Sequence, residues 1–246
     1  MSKPTLAIIS SVPETGFSFV SGADPRFDPR EIASAHKNEK QVFIDAIGIP
    51  NIEEKIKIEV IRAMDGIPRD FSADAYILGG SPSMVTEASE KQWIARLISF
   101  VRSEVESGKP LLGICFGHQV LATAFGGKVD FMKDRVIGPR EIEMQDGTPI
   151  SSLWSHKQAV YMPGDASTTA QSDDIIQMIQ VGDHAQGVQF HPEFTPEFTT
   201  FLVKLMRESI ESEGLDPNSI IEHIAAKGQN PSSILLHQFI KKYYNI

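Results

Sequence analysis

The sequence predicts an α/β fold, a mainly parallel sheet with helices on both faces. Three short runs carry this reading: Leu6-Ala7-Ile8-Ile9, Ala75-Tyr76-Ile77-Leu78 and Pro110-Leu111-Leu112-Gly113-Ile114. Each is almost wholly apolar, as strands buried on both faces are. Stretches of helical periodicity lie between them, and strands alternating with helices imply parallel crossovers. The bulk numbers agree. A chain of 246 residues, 41% hydrophobic and 22% charged, can bury a full core and has no disorder-prone composition. We read it as a single domain over 1–246, with a helical C-terminal extension over about 214–246.

In chain order, Leu6-Ala7-Ile8-Ile9 is the first strand. Residues 13–30, rich in Gly, Pro, Ser and Asp, read as a loop long enough to be a lid or a partner surface. Residues 31–47 predict a helix anchored by Ile32, Phe43, Ile44 and Ile47, and Lys57-Ile58-Glu59-Val60-Ile61 a strand. The strand at 75–78 runs into Gly79-Gly80-Ser81-Pro82. Over 88–106 an amphipathic helix places Trp93, Leu97, Phe100, Val101 and Val105 on one face, and Gly108 ends it. The strand at 110–114 leads into Cys115, and a helix over 118–125 stops at Gly126-Gly127. The middle, 128–163, predicts only short strand pieces such as Glu141-Ile142-Glu143-Met144. Strands at 174–181 and 187–190 pair through a turn near Gly182-Asp183. Helices follow at 196–212, 217–227 and 231–243. Ile234, Leu235, Phe239 and Ile240 form a core-facing pattern, which keeps the extension in the same domain.

Charge and cysteine count narrow the function. With 23 basic and 32 acidic residues the net charge is −9, a poor match for non-specific nucleic-acid binding. The apolar run at 6–12 is too short to span a membrane and lacks a cleavage-site pattern, so no membrane association and a cytoplasmic location are expected. Cys115 is the single cysteine, which excludes an intramolecular disulfide. A lone cysteine with histidines elsewhere is a candidate nucleophile. His36, His184, His223 and His237 are scattered without metal-ligand spacing, and the adjacent pairs Glu53-Glu54 and Asp173-Asp174 read as solvated surface.

The chemistry concentrates in two segments. Gly113-Ile114-Cys115-Phe116-Gly117-His118-Gln119 has the layout of a nucleophile elbow: strand, one reactive residue, helix. A cysteine at a strand end is often structural, but glycines at −2 and +2 allow a sharp turn with an accessible side chain. The helix N-terminus would place unpaired N–H groups beside the sulfur and favour negative charge there. His191-Pro192-Glu193 supplies a base and an orienting carboxylate two residues apart, on one side of an extended segment. Alone, such a tripeptide is unremarkable loop sequence; paired with Cys115 it reads as catalytic. Gly79-Gly80 after a strand, and the backbone of Phe116, could lend N–H groups to an oxyanion. The elbow points His118 away from the sulfur, and Trp93 and Trp154 read as packing residues.

Together the cysteine elbow, the segment Gln189-Phe190-His191-Pro192-Glu193 and the preceding Gly-Gly turn resemble the class I (triad) glutamine amidotransferases over roughly 55–205. Gly79-Gly80-Ser81-Pro82 and Trp154-Ser155-His156 are most similar to the amidotransferase domain of GMP synthase and its stand-alone relatives. The resemblance implies a flavodoxin-like fold and a triad of Cys115, His191 and Glu193, with Gly80 and Phe116 as oxyanion donors. It implies that Gln119, Ser155 and His156 bind substrate, with no metal or organic cofactor. The implied substrate is glutamine or another γ-glutamyl compound, and the implied partner a separate synthetase subunit that receives ammonia. Three features depart from the family. The loop at 13–30 and the stretch 214–246 are extra, and the usual Ser-His-x-Asp reads Ser155-His156-Lys157-Gln158. Two other readings stay open. One is a self-sufficient γ-glutamyl peptidase or hydrolase, of which Gly182-Asp183-His184 is reminiscent. The other is a non-catalytic binding protein on the same fold.

Overall fold

In the structure, a computed structural model, residues 3–14, 16–21, 24–172 and 174–246 are described. Asp173 of the pair at 173–174 lies outside them, and Asp174 is exposed. The first apolar run becomes β1 (Thr5–Ser10), and every later parallel strand is placed relative to it. It pairs on one side with β2 (Lys57–Arg62) and on the other with β3 (Ala75–Leu78). β3 pairs with β4 (Leu111–Ile114), and β4 with β9 (Ala185–Val188), all parallel. Numbered along the chain, these five parallel strands lie in the order 2-1-3-4-5, the flavodoxin-like arrangement.

Side-chain alternation along β1 divides the core. Leu6 and Ile8 face α2 (Glu39–Ile47) and α9 (Ile234–Tyr244), meeting Phe43, Ile47, Leu236, Phe239 and Ile240. Ala7 and Ile9 face α4 (Gln92–Glu106) and α5 (Phe116–Ala124), meeting Leu97, Val101, Val105, Val120 and Leu121. The last helix of the C-terminal extension thus covers one face of the central sheet. Ile234 is 50% exposed, so the expected pattern is corrected there: Leu236 is the buried residue of that turn.

Three further expectations need correction. Residues 31–47 hold two helices, α1 (Pro29–Ala35) and α2. Asp28 and Glu31 form a capping box on α1, and the Asn38 side chain caps α2 by accepting the Gln41 N–H, so the chain stops and restarts at this cap. The stretch 128–163 holds two long antiparallel strands, β5 (Lys128–Glu143) and β6 (Pro149–Met162), rather than short pieces. Register shifts after Lys128 and between Phe131 and Val136 break the alternation that would have marked a continuous strand. The helix at 196–212 is interrupted at Met206, giving α6 (Pro196–Leu205) and α7 (Arg207–Ser212). β7 (Ser167–Ser172) and β8 (Ile175–Val181) complete the antiparallel side of the sheet, and α8 (Pro217–Lys227) packs on β5.

The parallel strands deliver their carboxyl ends to one edge, the place where open α/β sheets bind ligands. Ser10, Gly79-Gly80, Cys115 and the segment leading to His191 all leave the sheet there. The closeness of α5 to this edge depends on glycine. A Cβ on Gly117 would lie 2.5 Å from the Leu78 carbonyl oxygen, and one on Gly113 would lie 2.5 Å from that of Gly117. Gly117→Ala is therefore expected to lower stability by roughly 1–3 kcal/mol through overpacking, because backbone on both sides cannot give. Urea unfolding of the variant beside wild type measures this, with the midpoint shifting and the slope unchanged.

Candidate active site

Cys115 joins β4 directly to α5, which begins at Phe116, two residues before the expected start. Its φ of 52° and ψ of −100° are unusual for a residue with a Cβ. Both flanks are tied down. The Cys115 N–H donates to the Val188 carbonyl at 2.8 Å, and its own carbonyl accepts from the Gln119 N–H at 3.1 Å. The side chain is thereby aimed out of the sheet at the N-terminus of α5, and Sγ lies 3.9 Å from the Ser155 carbonyl oxygen. Only 6% of the residue is exposed.

His191 reaches the same point from β9. Its N–H donates to the Leu153 carbonyl of β6 at 2.9 Å, and its side chain lies close enough to that of Cys115 for the sulfur to act on its charge. Nδ1 lies 2.8 Å from Glu193 Oε1, which leaves Nε2 as the nitrogen for the sulfur. Phe194 stacks on the imidazole, with centroids 3.8 Å apart and planes within 12°. Gly80 fills the remaining side: a Cβ there would lie 3.0 Å from His191 Cε1 and 4.0 Å from Cys115 Cβ. Burial opposes a charge on His191, but the Glu193 carboxylate and the Cys115 sulfur more than offset it and raise its pKa to about 10. His156 and His118, equally buried but without a carboxylate partner, are lowered to about 4 and about 3 by desolvation.

Of the other residues singled out in the sequence, Gln119 and His156 meet at the Gln158 carbonyl. Gln119 is buried on α5, and its Nε2 donates to the Gln158 carbonyl at 2.8 Å and to Gln189 Oε1 at 3.2 Å. His156 Nδ1 hydrogen-bonds the Gln158 carbonyl at 3.0 Å, while its buried Nε2 has no partner among the described residues. Gln158, at the place of the expected Asp, donates from Nε2 to Thr86, and its buried Oε1 has no partner among the described residues. His118 points away from the sulfur, its Nε2 lying 3.3 Å from the Ile176 carbonyl. Gly182-Asp183-His184 sits at the opposite end of the sheet, where His184 Nε2 meets the Val105 carbonyl. Among the described residues, no group of three or more His, Cys, Asp or Glu side chains is placed to hold a metal ion, and no helix is long and apolar enough to cross a membrane.

Three residues at the site escape sequence reasoning. Phe194 follows the His-Pro-Glu segment immediately, and its aromatic character was the available signal. Asn230 donates to the His191 and Phe194 carbonyls from the C-terminal extension, 36 or more positions away. Glu39, the first residue of α2, lies against the Gly-Gly turn: its Oε1 is 2.8 Å from where a Gly79 Cβ would be. Burial and the neighbouring Glu193 charge raise the Glu39 pKa from 4.5 to about 7, against the Ser10 hydrogen bond that lowers it.

The Glu39 shift has a stability consequence. Between pH 4.5 and about 7 the folded state holds this proton more firmly than the unfolded chain, so stability falls as pH rises through that window. Glu39→Gln removes the effect. The variant is expected to exceed wild type in stability at pH 8, by up to about 3 kcal/mol, with the gap closing towards pH 4.5. Denaturant unfolding of both proteins across this range measures it.

Comparison with known proteins bears on the same region. The family model for glutamine amidotransferase class-I matches residues 50–204, more than half of the chain. A GMP synthase [glutamine-hydrolyzing] from Salmonella typhimurium strain LT2 is 29% identical over an alignment of 181 residues that covers 65% of this chain and 33% of that relative. The chain thus spans about a third of the length of the curated relatives it matches. A glutamine amidotransferase structure from Thermotoga maritima superposes with a TM-score of 0.70 at 17% identity, covering 100% of both chains. A glutamine amido transferase from Methylobacillus flagellatus gives 0.64 at 17% identity, covering 100% of this chain and 93% of that one. The fold is that of these neighbours, and with the family model matching the elbow, the Gly-Gly turn and the His-Pro-Glu segment, the chain belongs to the class I glutamine amidotransferases.

Proposed function

We propose that the protein hydrolyses the side-chain amide of glutamine through a Cys115 thioester and releases ammonia. The observation that carries the reading is the convergence of Cys115, His191 and Glu193 under Gly80 at the carboxyl edge of the sheet. In this mechanism Cys115 passes its proton to His191, and Sγ attacks the amide carbon to form a C–S bond. The oxyanion is held by the N–H groups of Gly80 and Phe116; the Gly79 N–H is already given to the Ile9 carbonyl at 3.2 Å. His191, oriented by Glu193, protonates the leaving nitrogen as the C–N bond breaks, and ammonia departs. His191 then takes a proton from water, whose oxygen displaces the sulfur to give glutamate and restore the thiol. Gln119, Ser155 and His156 line the wall that would hold the amino-acid end. A free thiol nucleophile fits a reducing compartment such as the cytoplasm.

Ammonia transfer to a separate synthetase subunit is the preferred use of the product. The Salmonella relative is a GMP synthase, and the match covers 33% of it, leaving a large remainder in that protein for other chemistry. The peptidase alternative loses one support, because Gly182-Asp183-His184 lies far from Cys115. The intact set of Cys115, His191 and Glu193 speaks against a purely binding role.

Ammonia release from glutamine, and cleavage of γ-glutamyl peptides, should be measured for the purified protein and for Cys115→Ala. Ammonia release lost in the variant is expected, at least 1,000-fold, on the order of removing a covalent nucleophile. Robust peptide cleavage without a partner would overturn the subunit reading. A second measurement addresses His191. Glu193→Gln removes the carboxylate that raises its pKa, so iodoacetamide should alkylate Cys115 at least about tenfold more slowly near pH 7. An unchanged rate would sink the assigned role of Glu193.

A further inference from the structure

His191-Pro192-Glu193-Phe194 forms a tight turn in which the Phe194 N–H donates to the His191 carbonyl at 3.3 Å. The turn lies outside the regular strands, between β9 and α6, so its shape is not fixed by a sheet ladder. The Asn230 side chain lies across it. Its Nδ2 donates to the His191 carbonyl at 2.7 Å and to the Phe194 carbonyl at 3.0 Å, using both amide hydrogens on the two ends of one turn. The amide is itself oriented, because Ser232 Oγ donates to Asn230 Oδ1 at 2.8 Å. Ser232 is 1% exposed and shares a hydrogen bond of 2.7 Å with Ser152 of β6, the strand that also receives the His191 N–H through Leu153.

We propose that Asn230 is a positioning residue of the triad, clamping the His191–Phe194 turn and making the C-terminal extension part of the active site. The proposal rests on the triad reading above. The physical argument is geometric. The His191–Glu193 hydrogen bond closes within the turn, and the Phe194 ring that stacks on the imidazole leaves from its last residue. Fixing the carbonyls of the first and last residues fixes both contacts. Without the clamp the imidazole could rotate away from Sγ while the fold stays intact, since the core clusters do not pass through Asn230. The charged and titratable groups around His191 are Glu193 on its own turn, Cys115 on the elbow and His156 on β6, with Glu39 of α2 beyond Glu193. None is on the C-terminal extension, so a change in His191 behaviour on altering Asn230 must come through position.

Asn230→Leu keeps the approximate size of the side chain and removes both donors to the turn without placing a new charge beside His191. For the full-length variant we expect kcat for glutamine hydrolysis to fall at least tenfold with KM within about twofold. We expect the pH profile of Cys115 alkylation by iodoacetamide to shift towards higher pH. Ser232→Ala, which frees the amide without deleting it, should give a smaller change of the same kind and serves if Asn230→Leu does not fold. Lys227→Ala, on the exposed face of the extension, should leave both readouts unchanged. Folded Asn230→Leu or Ser232→Ala protein with a wild-type alkylation profile and kcat would overturn the proposal, as would a fall in melting temperature with the profile unmoved. The alkylation arm needs no substrate. A wild-type protein that alkylates fast but leaves glutamine intact would therefore defeat the proposed reaction and still test the clamp.

Discussion

The close passage of the first turn of α5 past β3 and β4 governs the geometry of this molecule. Gly113 and Gly117 allow backbone contacts that any Cβ would block, at 2.5 Å in both cases. With the helix that near, the connection from strand to helix has one residue in which to turn. Cys115 takes it and adopts a positive φ of 52°. A residue held in that region costs on the order of 1–3 kcal/mol, so it persists only where its neighbours over-determine it. Val188 and Gln119 do this by hydrogen bonds to its two backbone groups. The same constraint sets the height of the sulfur above the sheet edge, and so where His191 and Gly80 must stand to meet it.

Much of this was legible in the sequence, for definable reasons. Strands buried on both faces, such as 75–78 and 111–114, announce themselves as apolar runs, and the elbow by its glycines. The residues brought together around the sulfur, Cys115, His191, Glu193 and Gly80, had all been singled out, because each sits in a short segment whose local chemistry is unusual. What was not legible depends on long-range contacts or on broken periodicity. The β5–β6 ribbon was fragmented by its own bulges. The break between α1 and α2 lay in one asparagine cap. Asn230 and Glu39 are ordinary residues in their own segments, and only the folded chain brings them to the turn and to Gly79.

The two additions to the matched region, before residue 50 and after residue 204, converge on the segment that carries His191. From the N-terminal side, Ser34 lies 3.1 Å from Thr195, which caps α6, and the buried Glu31 carboxylate pairs with Lys204 at 2.9 Å. Phe17 packs against Phe198 and Phe201, both at 5.6 Å, and Phe198 in turn packs against Phe194 at 4.8 Å. From the C-terminal side comes Asn230. A turn with few backbone partners of its own is thus braced by an aromatic cluster on one side and an amide on the other. The elbow needs no such help, because sheet and helix already define it. The unequal support matches the unequal regularity of the two halves of the site.

Electrostatics then distinguishes His191 from its neighbours. Three histidines, at 118, 156 and 191, are buried within a few residues of the sulfur in space or sequence, and desolvation acts on each in the same direction. Two are pushed down to about 3 and about 4 and stay neutral at any physiological pH. Only His191 has a carboxylate at hydrogen-bond distance and the sulfur on its other side, and only it is raised. A difference of this size, several units between rings of equal burial, exceeds what hydrogen bonds to carbonyls achieve, since His118 and His156 each have one. Glu193 therefore does more than orient an imidazole. Together with the Cys115 sulfur it raises the pKa of one of three buried histidines, and it does so from two residues away, along a turn that lets the hydrogen bond close.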